Sequence, residues 1–301
     1  MLAASPELWG LPSAAIVVSS NPIDNLPLAA VLIAALLYWR GGRVQRRLLG
    51  AARMRSMRHR DWAFAGALAL VVVALGQPLD DLAAQLFWAH MLEHVLLLVG
   101  VAPLLVLAAP WMRLWRGLPL ALRRPLARGV LHARVAAPLR AVGCALAVPL
   151  VAWIAMNGDL IAWHIPALYD LTLRNEAVHD LEHLTFVVFS VVAWAQVIES
   201  PPLRVRLTVP WRIAFALGSM VVGWALAVAL AYASAPWYSG YADLAHRPGG
   251  LSALTDQRLG AGIMWVPASL PWTVLIFVLV YRWIADSDRP PSSHAVQRSG
   301  G

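Results

Sequence analysis

Apolar runs of about the length that crosses a lipid bilayer recur along this chain. Hydrophobic residues make up 60% of the 301 residues and charged residues only 13%, against about 25% charged residues in a soluble domain. Backbone groups in lipid must bond within their own segment, so each run is predicted to be a helix of roughly 20 residues. The predicted spans are residues 22–39, 61–76, 83–108, 139–156, 178–198, 213–233 and 260–283. We therefore expect an all-α integral membrane protein, a bundle of about seven transmembrane helices.

The basic residues are distributed unevenly between the segments that join these predicted helices. All 24 are arginine, and 21 of them fall in the first, third and fifth connections and at the C-terminal end. Arginine-rich connections stay in the cytoplasm. The pattern predicts an outer N-terminus and a cytoplasmic C-terminus, for a multi-pass protein of the bacterial plasma (inner) membrane.

The apolar segments form one predicted domain, residues 1–286, because no polar linker divides them. Residues 1–21 are mildly apolar, and we expect them to form an outer or interfacial lead segment. Residues 287–301 are polar, and we expect a disordered cytoplasmic tail. The net charge of +8 does not indicate a nucleic-acid partner, since the arginines follow membrane topology. Anionic lipid head groups are their expected contacts.

One five-residue pattern, H-x-x-E-H, occurs twice, at residues 90–94 and 179–183, each time directly before a long apolar run. On a helix the three side chains of one copy fall within an arc of about 100°, and residues four apart can share a ligand. Ionisable side chains at the mouths of membrane helices are costly, which favours a functional role. The predicted metal ligands are His90, His94, His179 and His183.

Other polar residues of the predicted outer layer add to this candidate site. Asn157-Gly158-Asp159 is predicted to end the fourth helix and to start a loop that delivers His164 as a fifth candidate ligand. Four carboxylates are candidates to ligate the ion or to orient the imidazoles: Glu93, Glu182, Asp159 and Asp256. Asp256 is also the predicted N-cap of the last helix. Imidazole suits copper, zinc, iron and nickel, and Met91 and Met264 would favour copper if they face the site.

Three segments, residues 89–110, 162–186 and 256–267, resemble the signature regions of the CtaG-type cytochrome c oxidase assembly factors. They occur in the family order within a similar seven-helix layout. Glu93 stands where that family more usually has glutamine, and Val95 where it more usually has methionine. The resemblance implies a non-enzymatic factor that helps to metallate the copper centre of haem-copper oxidases. Copper is then the expected cofactor, oxidase subunits are the expected partners, and a periplasmic protein is a candidate copper donor.

Three other interpretations remain open from the residues alone. H-x-x-E-H is also the inverted zinc-protease motif with the glutamate as general base, which would make the protein an intramembrane metalloenzyme. A bis-histidine haem protein, with His94 and His183 as axial ligands, is the second interpretation. The third is a metal-free scaffold that holds oxidase subunits during assembly. Spacing distinguishes neither the metal nor its stoichiometry, nor does it give the oligomeric state.

Overall fold

The computed structural model describes residues 26–55 and 57–287, and within them the chain forms helices and no β-strand. The helices are α1 (Leu26–Arg55), α2 (Arg58–Ala74), α3 (Leu79–Ala83), α4 (Phe87–Val95), α5 (Ala102–Ala108), α6 (Trp111–Gly117), α7 (Leu120–His132), α8 (Ala137–Leu146), α9 (Pro149–Trp163), α10 (Pro166–Thr172), α11 (Glu176–Trp194), α12 (Val209–Ala231), α13 (Ser239–Ala242) and α14 (Ala253–Ser287). The expected lead segment at residues 1–21 lies outside the described residues, as does the expected tail from residue 288.

Several of these helices are long and apolar enough to cross a membrane. Four qualify by length and composition: Phe87–Ala108, Glu176–Trp194, Val209–Ala231 and Ala253–Ser287. The pair Arg134–Leu146 and Pro149–Trp163 makes a fifth if it is one bent span. α2, with 17 residues, lies at the lower limit of roughly 17–25 residues for a span and is not among these candidates. The prediction of an all-α membrane protein is confirmed, and four or five of the seven predicted spans meet this criterion within the described part of the chain.

Two helix boundaries differ from the prediction for physical reasons. α1 continues to Arg55 rather than ending at residue 39, because most of residues 40–55 are arginine, glutamine, leucine, alanine or methionine. These are strong helix formers and outweigh the three glycines of the segment. The predicted break at Asn157-Gly158-Asp159 is wrong, since α9 passes through these residues unbroken. The chain bends earlier, by 97° between α8 and α9. Val148 is extended there, because a residue that precedes proline, here Pro149, avoids the helical conformation.

The span that carries the first H-x-x-E-H motif changes its helical geometry in mid-course. α4 is followed directly by a π-helical turn, Leu96–Val101, and then by α5. Pro103 has no N–H and its ring crowds the carbonyl four residues before it, and a wider turn relieves this conflict. The span ends where Ala109 adopts a left-handed φ of 45° ahead of Pro110, as helix ends commonly do.

α14 packs closely against α4 and so fixes the position of the first motif. A Cβ added at Gly260 would lie 2.4 Å from the ring of Phe87 and 3.0 Å from the Cγ of Met91, so only glycine permits this approach. Small residues serve such close packing in membranes. Gly262, two positions along, has open space beside its Cα and does not take part.

Candidate metal centre

The two H-x-x-E-H motifs lie side by side, each at the start of its helix. His90 is in the first turn of α4 and His179 is in the first turn of α11. Phe186 of α11 lies beside His94, and further along both spans the indole N–H of Trp194 donates to the carbonyl oxygen of Leu98. The two helices therefore run in the same direction, and both motifs lie at one level. Four histidines each offer one ring nitrogen to a group whose atoms all lie within 4.8 Å of one another: His90, His94, His179 and His183.

This four-histidine group is enclosed by the protein. The exposed fraction is 1% for His90, 3% for His94 and 8% for His183, while His179 is partly exposed. The Nε2 atoms of all four are buried without a hydrogen bond, although buried polar atoms nearly always have a partner. Nitrogens that share one ion with ~2.1 Å bonds lie about 3.4 Å apart in a tetrahedral arrangement and about 4.2 Å apart when opposite, so the group needs only a small contraction to hold an ion. The residues therefore fit a bound metal ion.

The glutamates of the two motifs occupy different positions. Glu182 reaches towards the opposite helix, with its two carboxylate oxygens each 3.7 Å from an Nε2 atom, one of His90 and one of His94. This distance is too long for a hydrogen bond. Glu93 is equally buried, and both of its oxygens lack a hydrogen-bond partner among the described residues. Only Glu182 is placed to act on the imidazoles.

Tyr241, which belongs to neither motif, determines which ring nitrogen of His90 carries the hydrogen. Its hydroxyl donates to the carbonyl oxygen of Ala83 at 2.5 Å and lies 3.0 Å from the Nδ1 atom of His90. A carbonyl oxygen can only accept a hydrogen bond, so the hydroxyl gives its one hydrogen to Ala83. The Nδ1 atom of His90 must then be the donor to Tyr241, and Nε2 carries the lone pair that a metal requires.

Asp256 supports the site indirectly, from another helix. Its carboxylate accepts hydrogen bonds from the backbone N–H groups of Phe87 at 2.9 Å and Trp88 at 3.0 Å, so it caps α4. The cap of α14 is Ser252, whose Oγ accepts from the N–H of Thr255. The prediction that Asp256 caps its own helix is therefore wrong, because the side chain serves the start of the neighbouring helix instead.

The two remaining candidates lie beside the four-histidine group and not within it. Asp159 accepts a hydrogen bond from the indole N–H of Trp163 at 3.0 Å. His164 follows the last residue of α9 and is 3% exposed. Its Nδ1 donates to the carbonyl oxygen of Leu160 at 2.8 Å, which leaves a buried Nε2 without a hydrogen bond. A role of either residue as a ligand stays a prediction.

An aromatic wall that the sequence did not indicate encloses the histidines. The ring of Tyr169 lies 5.2 Å from that of His90 and stacks on Tyr238 at 3.9 Å, and Phe186 lies 4.8 Å from His94. Excluding water in this way strengthens every electrostatic interaction inside the site. Tyrosines near the ends of membrane helices usually act as anchors at the membrane surface. Nothing in the sequence therefore indicated that these tyrosines line the site instead.

The chain is similar to known proteins over most of its length. Residues 36–286 match the family described as cytochrome c oxidase caa3 assembly factor, Caa3_CtaG. Two uncharacterized proteins, Mb0105 of Mycobacterium bovis and MT0111 of Mycobacterium tuberculosis, are each 28% identical over 231 residues. The match covers 75% of this chain and 34% of each relative, so the chain spans about a third of their length. No solved structure matches it significantly. The resemblance in the sequence is confirmed, and the protein belongs to the cytochrome c oxidase caa3 assembly factor family.

Proposed function

We propose that this protein binds copper at its four-histidine group and delivers it to the catalytic subunit of a haem-copper oxidase during assembly. Two observations carry the proposal: each of the four histidines brings one ring nitrogen within 4.8 Å of the others, and each has a buried Nε2 atom without a hydrogen bond. Imidazole suits copper among the transition metals. Membership in an oxidase assembly family points to the recipient.

The copper ion is cargo in this account, and the chain's own side chains hold and orient it. The first ligands are His90, His94, His179 and His183, with Tyr241 keeping the Nε2 of His90 free to bind. Glu182 balances part of the cation's charge next to two of these ligands. His179 is the most exposed of the four, so it offers the route by which the ion enters and leaves.

The proposal places the site at the outer face of a bacterial plasma membrane, in a seven-helix bundle. The arginine distribution supports an outer N-terminus and a cytoplasmic C-terminus. His90 and His179 lie in the first turns of their helices, which fits a site near a membrane surface. A periplasmic copper protein would be the donor, and the oxidase subunits the recipients.

A haem between His94 and His183 is less well supported by the space around them. The cavity beside His94 measures about 80 Å³. Sites for drug-sized molecules measure roughly 300–1,000 Å³, so a haem would have to force the helices apart. Phe186, packed against His94, also fills one side.

Oxidase maturation in the source organism, with the chromosomal copy deleted, tests the proposal. The strain receives wild type, His90→Ala/His183→Ala, or the control His246→Ala, which changes an exposed histidine outside the group. Equal amounts of each protein in the membrane are verified first. We expect wild type and the control to restore oxidase activity and oxidase copper content, and the double variant to restore neither. Full restoration by the double variant would overturn copper delivery and leave the metal-free scaffold.

A further inference from the structure

A cavity of about 80 Å³ lies inside the bundle, directly beside the four-histidine group. The two share one side chain, His94. His164 lines the cavity as well. Half of the chain's eight methionines also line it: Met91, Met156, Met220 and Met264. Thioethers are thus concentrated at one place in the bundle.

The four methionines come from four different helices, α4, α9, α12 and α14. All are buried, with at most 8% of any side chain exposed. Methionine commonly fills irregular gaps in a core because it is flexible. A gap filler would close the space, however, whereas these side chains surround a cavity that remains open.

Two imidazoles add nitrogen donors to the thioethers. The Nε2 atom of His164 has a free lone pair, because Nδ1 donates to Leu160, and it is buried without a hydrogen bond. Neither ring nitrogen of His94 has a hydrogen bond. None of the described residues that line the cavity carries a carboxylate. Thioether and imidazole donors suit monovalent copper, whereas carboxylates suit harder cations.

The volume of the cavity also favours an ion over an organic molecule. A water molecule takes a share of about 30 Å³ in the liquid, so the cavity has room for one ion together with a few water molecules. Small-molecule sites are several times larger, at roughly 300–1,000 Å³.

We propose that this cavity is a second metal site, which takes one monovalent copper ion with ligands drawn from its four methionines, His94 and His164. The shared His94 lets the ion pass between the two sites as Cu(I), without a change of oxidation state. The second site stands on its own lining residues, so it does not require the four-histidine group to deliver copper.

Silver(I), a redox-stable substitute for Cu(I), is the probe. The detergent-purified full chain is titrated with silver, and X-ray absorption at the silver edge reports sulfur and nitrogen ligands. Two pair variants each remove two thioethers, Met91→Leu/Met264→Leu and Met156→Leu/Met220→Leu. These swaps conserve volume. Met112→Leu is the matched control, because Met112 is 40% exposed and lies outside the cavity.

We expect sulfur ligands in wild type and in Met112→Leu, and at least tenfold weaker silver binding with fewer sulfur ligands in each pair variant. His90→Ala/His179→Ala removes two histidines that do not line the cavity, and we expect it to keep the sulfur ligands. If silver in this variant loses nitrogen ligands but keeps its sulfur ligands, the loss concerns the four-histidine group and the cavity site stands. Silver bound through nitrogen only, unchanged affinity in both pair variants, or loss of the sulfur ligands in His90→Ala/His179→Ala would overturn the proposal.

Discussion

The two H-x-x-E-H copies place their histidines in one group, yet their glutamates face different surroundings. The carboxylates of both are buried without a hydrogen bond, but only Glu182 lies 3.7 Å from two imidazoles of the other copy. Helix geometry fixes the angles within each copy, but the rotation of each helix about its axis decides which side chain faces the partner. A repeated motif therefore does not imply a symmetric site.

The two motif helices are also held in place differently. α11 begins with its own cap, since the side chain of Asn175 accepts from the N–H of Val178 at 3.2 Å. α4, in contrast, is held by α14. Asp256 of α14 caps the start of α4, and Gly260 of α14 lets the two helices approach closely. Tyr241 holds the first histidine of α4. The start of the first motif helix therefore depends on a distant part of the chain, whereas the start of the second is capped by a residue next to it in the sequence.

The largest effect is expected where α14 meets α4. Gly260→Ala would place a methyl group 2.4 Å from the buried ring of Phe87, and we expect a loss of about 3 kcal/mol of unfolding free energy, the upper end for overpacking. Gly262→Ala, which meets open space, should change it by less than about 0.5 kcal/mol. Thermal unfolding in detergent measures both. Equal stabilities of the two variants would contradict the close approach.

The second prediction separates the two glutamates. Glu182→Gln should weaken copper binding by about 100-fold, at the upper end for residues that support metal ligands, because it faces two of them. Glu93→Gln should weaken it less than about threefold, since the ion pairs with the histidines of the group involve Glu182 and not Glu93. Competition titration with a copper chelator gives both affinities. Similar losses in the two variants would show that the carboxylates are equivalent.

The third prediction compares the two helix caps. Asp256→Ala leaves two backbone N–H groups at the start of α4 without their acceptor, and we expect a loss of about 2 kcal/mol of unfolding free energy. Asn175→Ala removes one exposed hydrogen bond and should cost about 0.5–1 kcal/mol. Denaturant titration of both variants compares their losses of unfolding free energy. A larger loss in Asn175→Ala than in Asp256→Ala would contradict the importance of the Asp256 cap.

The smallest effect concerns the tyrosine that orients His90. Tyr241→Phe removes the acceptor of its Nδ1–H, and we expect copper affinity to fall about tenfold, the lower end for support of a single ligand. Tyr238→Phe is the control, because its hydroxyl donates to the backbone oxygen of His164 at 3.3 Å and touches no histidine of the group. The chelator titration used for the glutamates applies again. An unchanged copper affinity in Tyr241→Phe would contradict the role of this tyrosine in orienting His90.

Local spacing predicted the parts of the site that local geometry controls. The i, i+4 relation within each motif is a property of one helix, and the apolar runs that follow indicated the spans. The pairing of one helix with another depends instead on residues that are far apart in the sequence. Tyr241 reaches His90 across 151 positions and Asp256 reaches Phe87 across 169, and no pattern in the sequence links them. The bend at Pro149 was missed because Asn157-Gly158-Asp159 resembles a stronger break, although neighbouring helices enclose Asn157 within the bundle.

Metal content of the detergent-purified protein tests the central claim most directly. Elemental mass spectrometry and an optical spectrum compare wild type with His90→Ala/His183→Ala after copper loading. We expect about one or two copper ions per chain in wild type, with imidazole as the suited ligand, and loss of at least one in the variant. Zinc would revive the hydrolase interpretation, and iron with a Soret band the haem interpretation. The absence of bound metal after copper loading would contradict a metal site at the four histidines.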